Sequence, residues 1–275
     1  MKLIYPFKIL DSYTEEDHSI FFGRDDEINS LYKMVSESNV VILYGASGTG
    51  KTSLIQSGLS KKFKPHQWLP IFIRRKGNIN ESLFEALNEV LRSRDSSEQI
   101  PDTKNKTDNK NFNELFRKIY LKHFKPVYLI FDQFEELFTS EKNSVNDKNI
   151  EQETFYKNFA EILKVKSPVE TIFSIREEYL GFFDKFEKII PDLTKKRLRV
   201  EPMNHVKVIE VIKNAASYKD EDNDEKSNVS LEAGKENEII DLIFEILKGN
   251  KRTLTVELPH LQVLLDKLYI DTPTM

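Results

Sequence analysis

An apolar run, Val40-Val41-Ile42-Leu43-Tyr44, passes without a break into Gly45-Ala46-Ser47-Gly48-Thr49-Gly50-Lys51-Thr52. The run is short and ends in a glycine loop, so it reads as a buried strand. The octapeptide meets the spacing G-x-x-x-x-G-K-[ST] at Gly45, Gly50, Lys51 and Thr52. Glycines at these positions let the backbone wrap with its N–H groups around an anion, and a helix starting at the loop's end points its positive pole at the same place. A lysine adds a cation for β- and γ-phosphates, and a threonine hydroxyl suits Mg²⁺. Average composition gives this spacing by chance in about one chain of this length per hundred. The preceding strand and following helix make chance rarer still. The candidate phosphate-contacting residues are therefore Gly45, Ala46, Ser47, Gly48, Thr49, Gly50, Lys51, Thr52 and Ser53. Two other glycine motifs fail here: G-x-S-x-G breaks at Thr49, and G-x-G-x-x-G breaks at Ser53.

The rest of the chain alternates in the same way. Helical spacing marks 25–37 (Ile28, Leu31, Tyr32, Val35), a helix from Gly50 to about Lys61, and helices around Leu83–Leu91, Phe112–Ile119 and Phe155–Leu163. Short apolar runs at 69–73, 127–131 and 171–175 read as strands, with 197–201 as a fifth. Buried strands alternating with amphipathic helices predict an α/β fold, a parallel sheet with helices on both faces. Such sheets bind ligands beyond the carboxyl ends of their strands. The glycine loop, Asp132 and Arg176 all fall at those ends.

Asp132 is followed by Gln133-Phe134-Glu135-Glu136. Phosphoanhydride hydrolysis needs a carboxylate near Mg²⁺ and a second group to orient or deprotonate water. Asp132 fits the first role, while Glu135 and Glu136 fit the second, with Glu135 favoured. An acidic helix start is the competing explanation, since carboxylates suit helix N-termini. Arg176 is placed to touch the γ-phosphate, against a surface ion pair with Glu177 or Glu178. The predicted metal ligands are Thr52 and Asp132.

Composition closes off other chemistry. The 275 residues contain no cysteine, which excludes disulfides, zinc ribbons and thiol catalysis. Lys+Arg (41) nearly balance Asp+Glu (45), so nucleic acid is not indicated as a general partner. The start lacks a signal-peptide pattern and no apolar run is of membrane-spanning length, which points to a cytoplasmic protein away from membranes. Residues 1–21 read as a polar lead-in, and 93–111 as a disordered or variable insertion. After about residue 203 the strands are expected to stop, leaving helices at 204–216, 237–248 and 257–270. The charge run 219–226 between them reads as a solvated loop.

Taken together, these motifs resemble the STAND class of P-loop NTPases, close to the bacterial "novel STAND" group. Phe22-Gly23-Arg24-Asp25-Asp26-Glu27 is similar to the class's hydrophobic-Gly-Arg-x-x-Glu motif, which in relatives lines the adenine side. Phe131 to Phe138 is similar to its second acidic motif, and is the most discriminating run. Ile172 to Leu180 resembles its sensor strand ending in arginine. Leu258-Pro259-His260 resembles its helical lid, whose proline packs near the base in relatives. The order is kept over roughly residues 20–270. The resemblance implies a P-loop NTPase core at 22–203 and a small all-α lid at 204–275, binding ATP or ADP with Mg²⁺. It implies a slow ATPase acting as a molecular switch with self-association in the ATP state, in a class whose bacterial members often serve in defence or signalling. Family members usually continue into a winged helix and then sensor or effector domains, so the chain is expected to be part of a longer protein. No arginine finger of the ring-ATPase kind is evident. Two rival readings are an origin-recognition-like ATPase acting on DNA and a nucleotide-holding scaffold with negligible turnover.

Overall fold

The computed structural model describes residues 2–8, 11–92, 111–139, 145–220, 225–227, 229–231, 234–248, 255–256 and 258–271. The expected insertion at 93–111, apart from Asn111, lies outside them, as do residues 221–224 of the charge run. In chain order the elements are β1 (Lys2–Ile4), α1 (Asp25–Glu37), β2 (Val40–Gly45), α2 (Lys51–Ser53), β3 (Leu69–Ile73), α3 (Ile79–Arg92), α4 (Phe112–His123), β4 (Val127–Phe131), α5 (Glu136–Thr139), α6 (Val145–Ile162), β5 (Val169–Arg176), α7 (Phe183–Glu187), β6 (Arg197–Arg199), β7 (Met203–Asn204), α8 (His205–Ser217), β8 (Lys219–Asp220), β9 (Glu225–Ser227), α9 (Glu236–Lys248), β10 (Thr255–Val256) and α10 (Leu258–Asp271). The chain gathers into two compact units. One comprises Tyr32–Tyr44 and Phe63–Arg199, and the other comprises Met1–Leu31, Gly45–Lys62 and Val200–Met275.

The first unit holds a five-stranded parallel sheet, flanked by helices, in the order β3-β4-β5-β2-β6. Its register aligns Phe131 with Ile73 on one side and with Phe173 on the other. β4 is buried at every position, as a central parallel strand must be. β3 lies at the edge, where Pro70 leaves no ladder hydrogen bond broken and Phe72 is partly exposed. On one face Phe131, Phe155, Phe159, Phe173, Phe183 and Phe186 are all fully buried. Phe131 stacks on Phe173 with centroids 5.0 Å apart, and Phe159 meets Phe173 edge-on at 5.1 Å. The helical spacing read at Phe155 and Phe159 is thus the face α6 turns to the sheet.

The second unit is helical, built on α8, α9 and α10, with a core of Val208, Ile212, Ile240, Ile243, Phe244, Leu261 and Leu265. Two readings need correction here. The N-terminal stretch is more than a polar lead-in: Phe7 belongs to this helical core, Tyr13 and Ile20 are buried, and β1 pairs in parallel with β9. Nor do strands end near residue 203, because β7 pairs antiparallel with β10 and β8 with β9. Strands of two or three residues are too short to leave a period-2 pattern, so periodicity cannot reveal them.

Candidate nucleotide site

β2 leaves the sheet at Gly45 and the chain enters the phosphate loop. Gly48 and Gly50 take φ of 72° and 85°, a left-handed backbone that disfavours any side chain. At Gly48 a Cβ would also lie 2.9 Å from Pro259 Cγ, so the loop and the start of α10 approach closely. Thr49 Oγ1 donates to Ala46 O at 3.0 Å, closing the loop on itself. Lys51 Nζ donates to Gly45 O and Ala46 O, both at 2.9 Å, which sets the ammonium over the loop's first turn. The helix from Lys51 opens in α geometry, with Leu54 N–H donating to Gly50 O at 2.9 Å. It widens to π over Leu54–Leu59 and tightens to 3₁₀ over Ser60–Lys62. π segments are concentrated at functional sites. Ser53 Oγ accepts from the Tyr13 N–H at 3.1 Å, tying the N-terminal stretch to the helix start.

The Gly-Arg motif meets the loop in the same unit. Arg24 is 2% exposed, and its Nη2 donates to Thr49 O at 2.9 Å while Nη1 reaches Glu27 Oε1 at 2.8 Å. Gly23 has φ of 78°, and a Cβ there would lie 2.6 Å from Val211 Cγ2 on α8. Phe22 packs against the helical core. Gly23, Arg24, Pro259 and the phosphate loop, far apart in sequence, are therefore neighbours.

The sheet unit brings together the other predicted residues. β5 lies between β4 and β2, so the carboxyl ends carrying Asp132 and Arg176 are adjacent, and the next end runs into Gly45. Asp132 is buried; its N–H donates to Ile73 O at 3.0 Å, and its Oδ2 accepts from Arg74 Nη2 at 2.8 Å. Glu135 is buried too. Its Oε2 accepts from the Arg176 N–H at 3.2 Å, and Arg176 Nε lies 3.1 Å from Oε1. Arg176 thus pairs with Glu135, whereas the Glu177 carboxylate is taken by Arg199. Glu136 is half-buried at the start of α5. Burial raises its pKa above the usual carboxylate value, Glu135 and Asp132 add to the rise, and Arg74 and Arg75 oppose it. Gln133 adopts φ of 54° between strand and helix, and Phe134 N–H donates to Ser174 O at 2.9 Å, which anchors the acidic turn against β5.

Sequence reasoning missed Arg74 and Lys207. The signal for Arg74 was present, since it directly follows a strand as Asp132 and Arg176 do. Lys207 gave none, because its partner, Glu27 of the Gly-Arg motif, lies 180 residues away. The Arg75–Glu151 pair, with both carboxylate oxygens held at 2.8 Å and Ile79 N–H bound as well, fastens α3 to α6 inside the same unit.

A family model described as Novel STAND NTPase 1 matches residues 6–273. The chain belongs to that family. This novel STAND NTPase is a P-loop nucleotide-binding protein, and its fold is shared by solved ATPase structures. It is similar to the Walker-type ATPase PABY2304 of Pyrococcus abyssi, with 18% identity, 96% of this chain and 71% of that chain covered, and a TM-score of 0.56. It is similar to the ORC2 protein of Aeropyrum pernix in its ADPNP–ADP complexes, with 13% identity, 96% and 66% covered, and a TM-score of 0.62. It is also similar to CDC6P of Pyrobaculum aerophilum, with 13% identity, 90% and 61% covered, and a TM-score of 0.53. The NTPase chain therefore spans about two thirds of these proteins. No protein with a curated description matches it.

The residues present fit a nucleotide with a hard cation. Gly48 and Gly50 hold the left-handed backbone that the wrapped loop needs, and Lys51 stands at its first turn. The Thr52 hydroxyl and the Asp132 carboxylate are oxygen donors of the kind Mg²⁺ takes. Among the described residues no group of three or more His, Asp or Glu side chains could hold a metal by itself. No helix among the described residues is long and apolar enough to cross a membrane.

Proposed function

We propose that this NTPase domain binds ATP and ADP with Mg²⁺ and hydrolyses ATP slowly, as a switch whose helical lid responds to the nucleotide. The observation that carries the reading is the seating of the lid helices on the phosphate loop, with Pro259 at Gly48 and Leu258 at Gly50. A ligand that alters the loop then acts directly on α10. In this scheme Gly45 to Ser53 hold the phosphates, with Lys51 against the β- and γ-oxygens, and Thr52 and Asp132 hold the metal. Phe22, Gly23, Arg24 and Pro259 shape the base side. The helical lid corresponds to residues 204–275 and the NTPase core to 22–203. Self-association in the ATP state, a cytoplasmic setting, further sensor or effector domains, and service in bacterial defence or signalling belong to the same proposal, with membership of the novel STAND family as their support.

Glu135 and Glu136 are the candidates for activating water. Glu135 is held by Arg176, so in this reading Arg176 keeps it from the water until γ-phosphate contacts draw the arginine away. Glu136, half-buried at the start of α5 with its pKa raised by burial, is the second candidate base. The Arg176–Glu135 pair equally favours a second reading, a nucleotide-holding scaffold with negligible turnover. Single-turnover hydrolysis decides between them. Glu135→Gln or Glu136→Gln should bind ATP as the wild type does, and one of the two should hydrolyse it roughly 10²-fold more slowly. Wild-type hydrolysis no faster than either variant would leave the scaffold reading standing.

A further inference from the structure

The lid reaches the phosphate loop by a second route, made of charges. Lys207, in the first turn of α8, points its Nζ at both carboxylate oxygens of Glu27, 2.7 Å from Oε1 and 2.8 Å from Oε2. The backbone of that turn is fixed, because Asn204 caps it by accepting from the Lys207 N–H at 3.0 Å. Glu27 passes the contact to Arg24 Nη1 at 2.8 Å, and Arg24 Nη2 ends it on the carbonyl of Thr49 at 2.9 Å. Arg24 is 2% exposed and the Glu27 side chain 12%, so both charges depend on these partners. Burial alone would raise the Glu27 pKa, but the hydrogen bonds from Lys207 and Arg24 outweigh it and hold the carboxyl below the usual range.

A buried arginine whose carboxylate partner loses its second cation is poorly balanced. Removing one member of such a set leaves the rest uncompensated and free to seek water. Thr49 lies in the middle of the loop, one residue before Gly50, so its carbonyl sets how the loop's N–H groups face an anion. The first turn of α8 also lies against Gly23, where a Cβ would be 3.5 Å from Lys207 O. The relay and this contact therefore move together.

We infer that Glu27 and Lys207 are positioning residues that transmit the placement of α8 to the phosphate loop and thereby set the rate at which a nucleotide leaves it. The inference rests on the nucleotide-binding reading above. With Lys207 on Glu27, Arg24 holds Thr49 and the loop keeps its phosphate-binding shape. When α8 departs, Glu27 loses its second cation, Arg24 turns from Thr49, and the loop loosens.

The test is the dissociation rate of a fluorescent ADP from the whole chain, chased with unlabelled ADP. Lys207→Met should speed release by about tenfold with the association rate within about twofold of wild type. Lys207→Arg, which keeps the charge, should return release to near the wild-type rate. Glu27→Gln should speed release similarly, and the double variant should be no faster than Glu27→Gln alone, because the two act through one chain of contacts. Melting curves of all variants show which remain folded, and Lys207→Arg serves where Lys207→Met does not. Fast release from Lys207→Arg would overturn the inference, since charge would then not be what matters, and so would unchanged release from a folded Lys207→Met. Additive effects in the double variant would overturn it as well. Failure of the wild type to bind ADP at all would overturn both the inference and the nucleotide-binding reading, whereas normal binding with insensitive release would remove the inference alone.

Discussion

The phosphate loop and the acidic strand ends hold their polar groups in opposite ways. At the loop, backbone carbonyls are held by cations: Gly45 O and Ala46 O by Lys51, Thr49 O by Arg24. At the strand ends, carboxylates are held by arginines from neighbouring strands, Asp132 by Arg74 and Glu135 by Arg176. The settings differ too. The strand ends close a sheet backed by a continuous cluster of phenylalanines, in which Phe173 meets six other rings. The loop belongs to a unit of helices and very short strands, where Phe244 has one ring partner among the described residues, His205. Interdigitated aromatic cores are stiff, because any displacement disturbs many contacts at once. A small helical core carrying exposed Leu242 and Ile246 has less to lose by moving. The comparison teaches that the strand-end carboxylates stand on a densely interlocked aromatic core, whereas the phosphate loop belongs to a unit with a smaller helical core.

The largest effect should come from attacking the rigid side. Phe173→Ala should cost about 3–5 kcal/mol by leaving a cavity among six rings. Phe244→Ala should cost less. Denaturant unfolding of both would break the comparison if the order were reversed. Next is Lys51→Ala, which removes charge-assisted hydrogen bonds worth about 1.5–3 kcal/mol each. Calorimetric titration should find ATP affinity lower by about a hundredfold or more with little change in melting temperature. Unchanged affinity would take the loop out of phosphate binding.

A smaller effect is expected at the strand ends, where Asp132 is the proposed metal ligand. Asp132→Asn should lower ATP affinity about tenfold with Mg²⁺ present, the order of one lost charge-assisted contact. Without the metal, affinity should stay within about twofold. Equal losses in both titrations would mean that Asp132 works through Arg74 to hold the strand end. The smallest effect concerns Glu136. Its folded pKa is raised, so ionising it opposes folding: the penalty is absent below the ordinary carboxylate pKa and grows as pH rises through the folded value. Glu136→Gln should therefore raise the melting temperature slightly at pH 7, with the gain vanishing near pH 4. A gain independent of pH would mean that packing, not charge, is responsible.

Much of the site was legible because its signals are local. The strand, the glycine spacing and Lys51 lie within a dozen residues. Asp132 and Arg176 each end an apolar run, so alternation and strand direction together put them at one edge of the sheet. The helices at 25–37 and 112–119 were legible through the buried Ile28, Leu31 and Val35 and the buried Phe112, Phe116 and Ile119. What escaped was whatever depends on contacts distant in sequence. Glu135 read as a free base until Arg176 was found 41 residues away on it, and nothing near Lys207 announces Glu27.

The sequence by itself determined the P-loop, the alternating α/β order and the residues at the strand ends, since those follow from periodicities and spacings written along the chain. The tertiary structure alone decided which charge answers which: Arg74 to Asp132, Arg176 to Glu135, Arg24 to Thr49 and Lys207 to Glu27. It also decided that the N-terminal stretch would supply Phe7 to the helical core. The physical reason is that a buried charge must find a partner wherever packing brings one, and packing obeys the shape of the fold rather than distance along the chain.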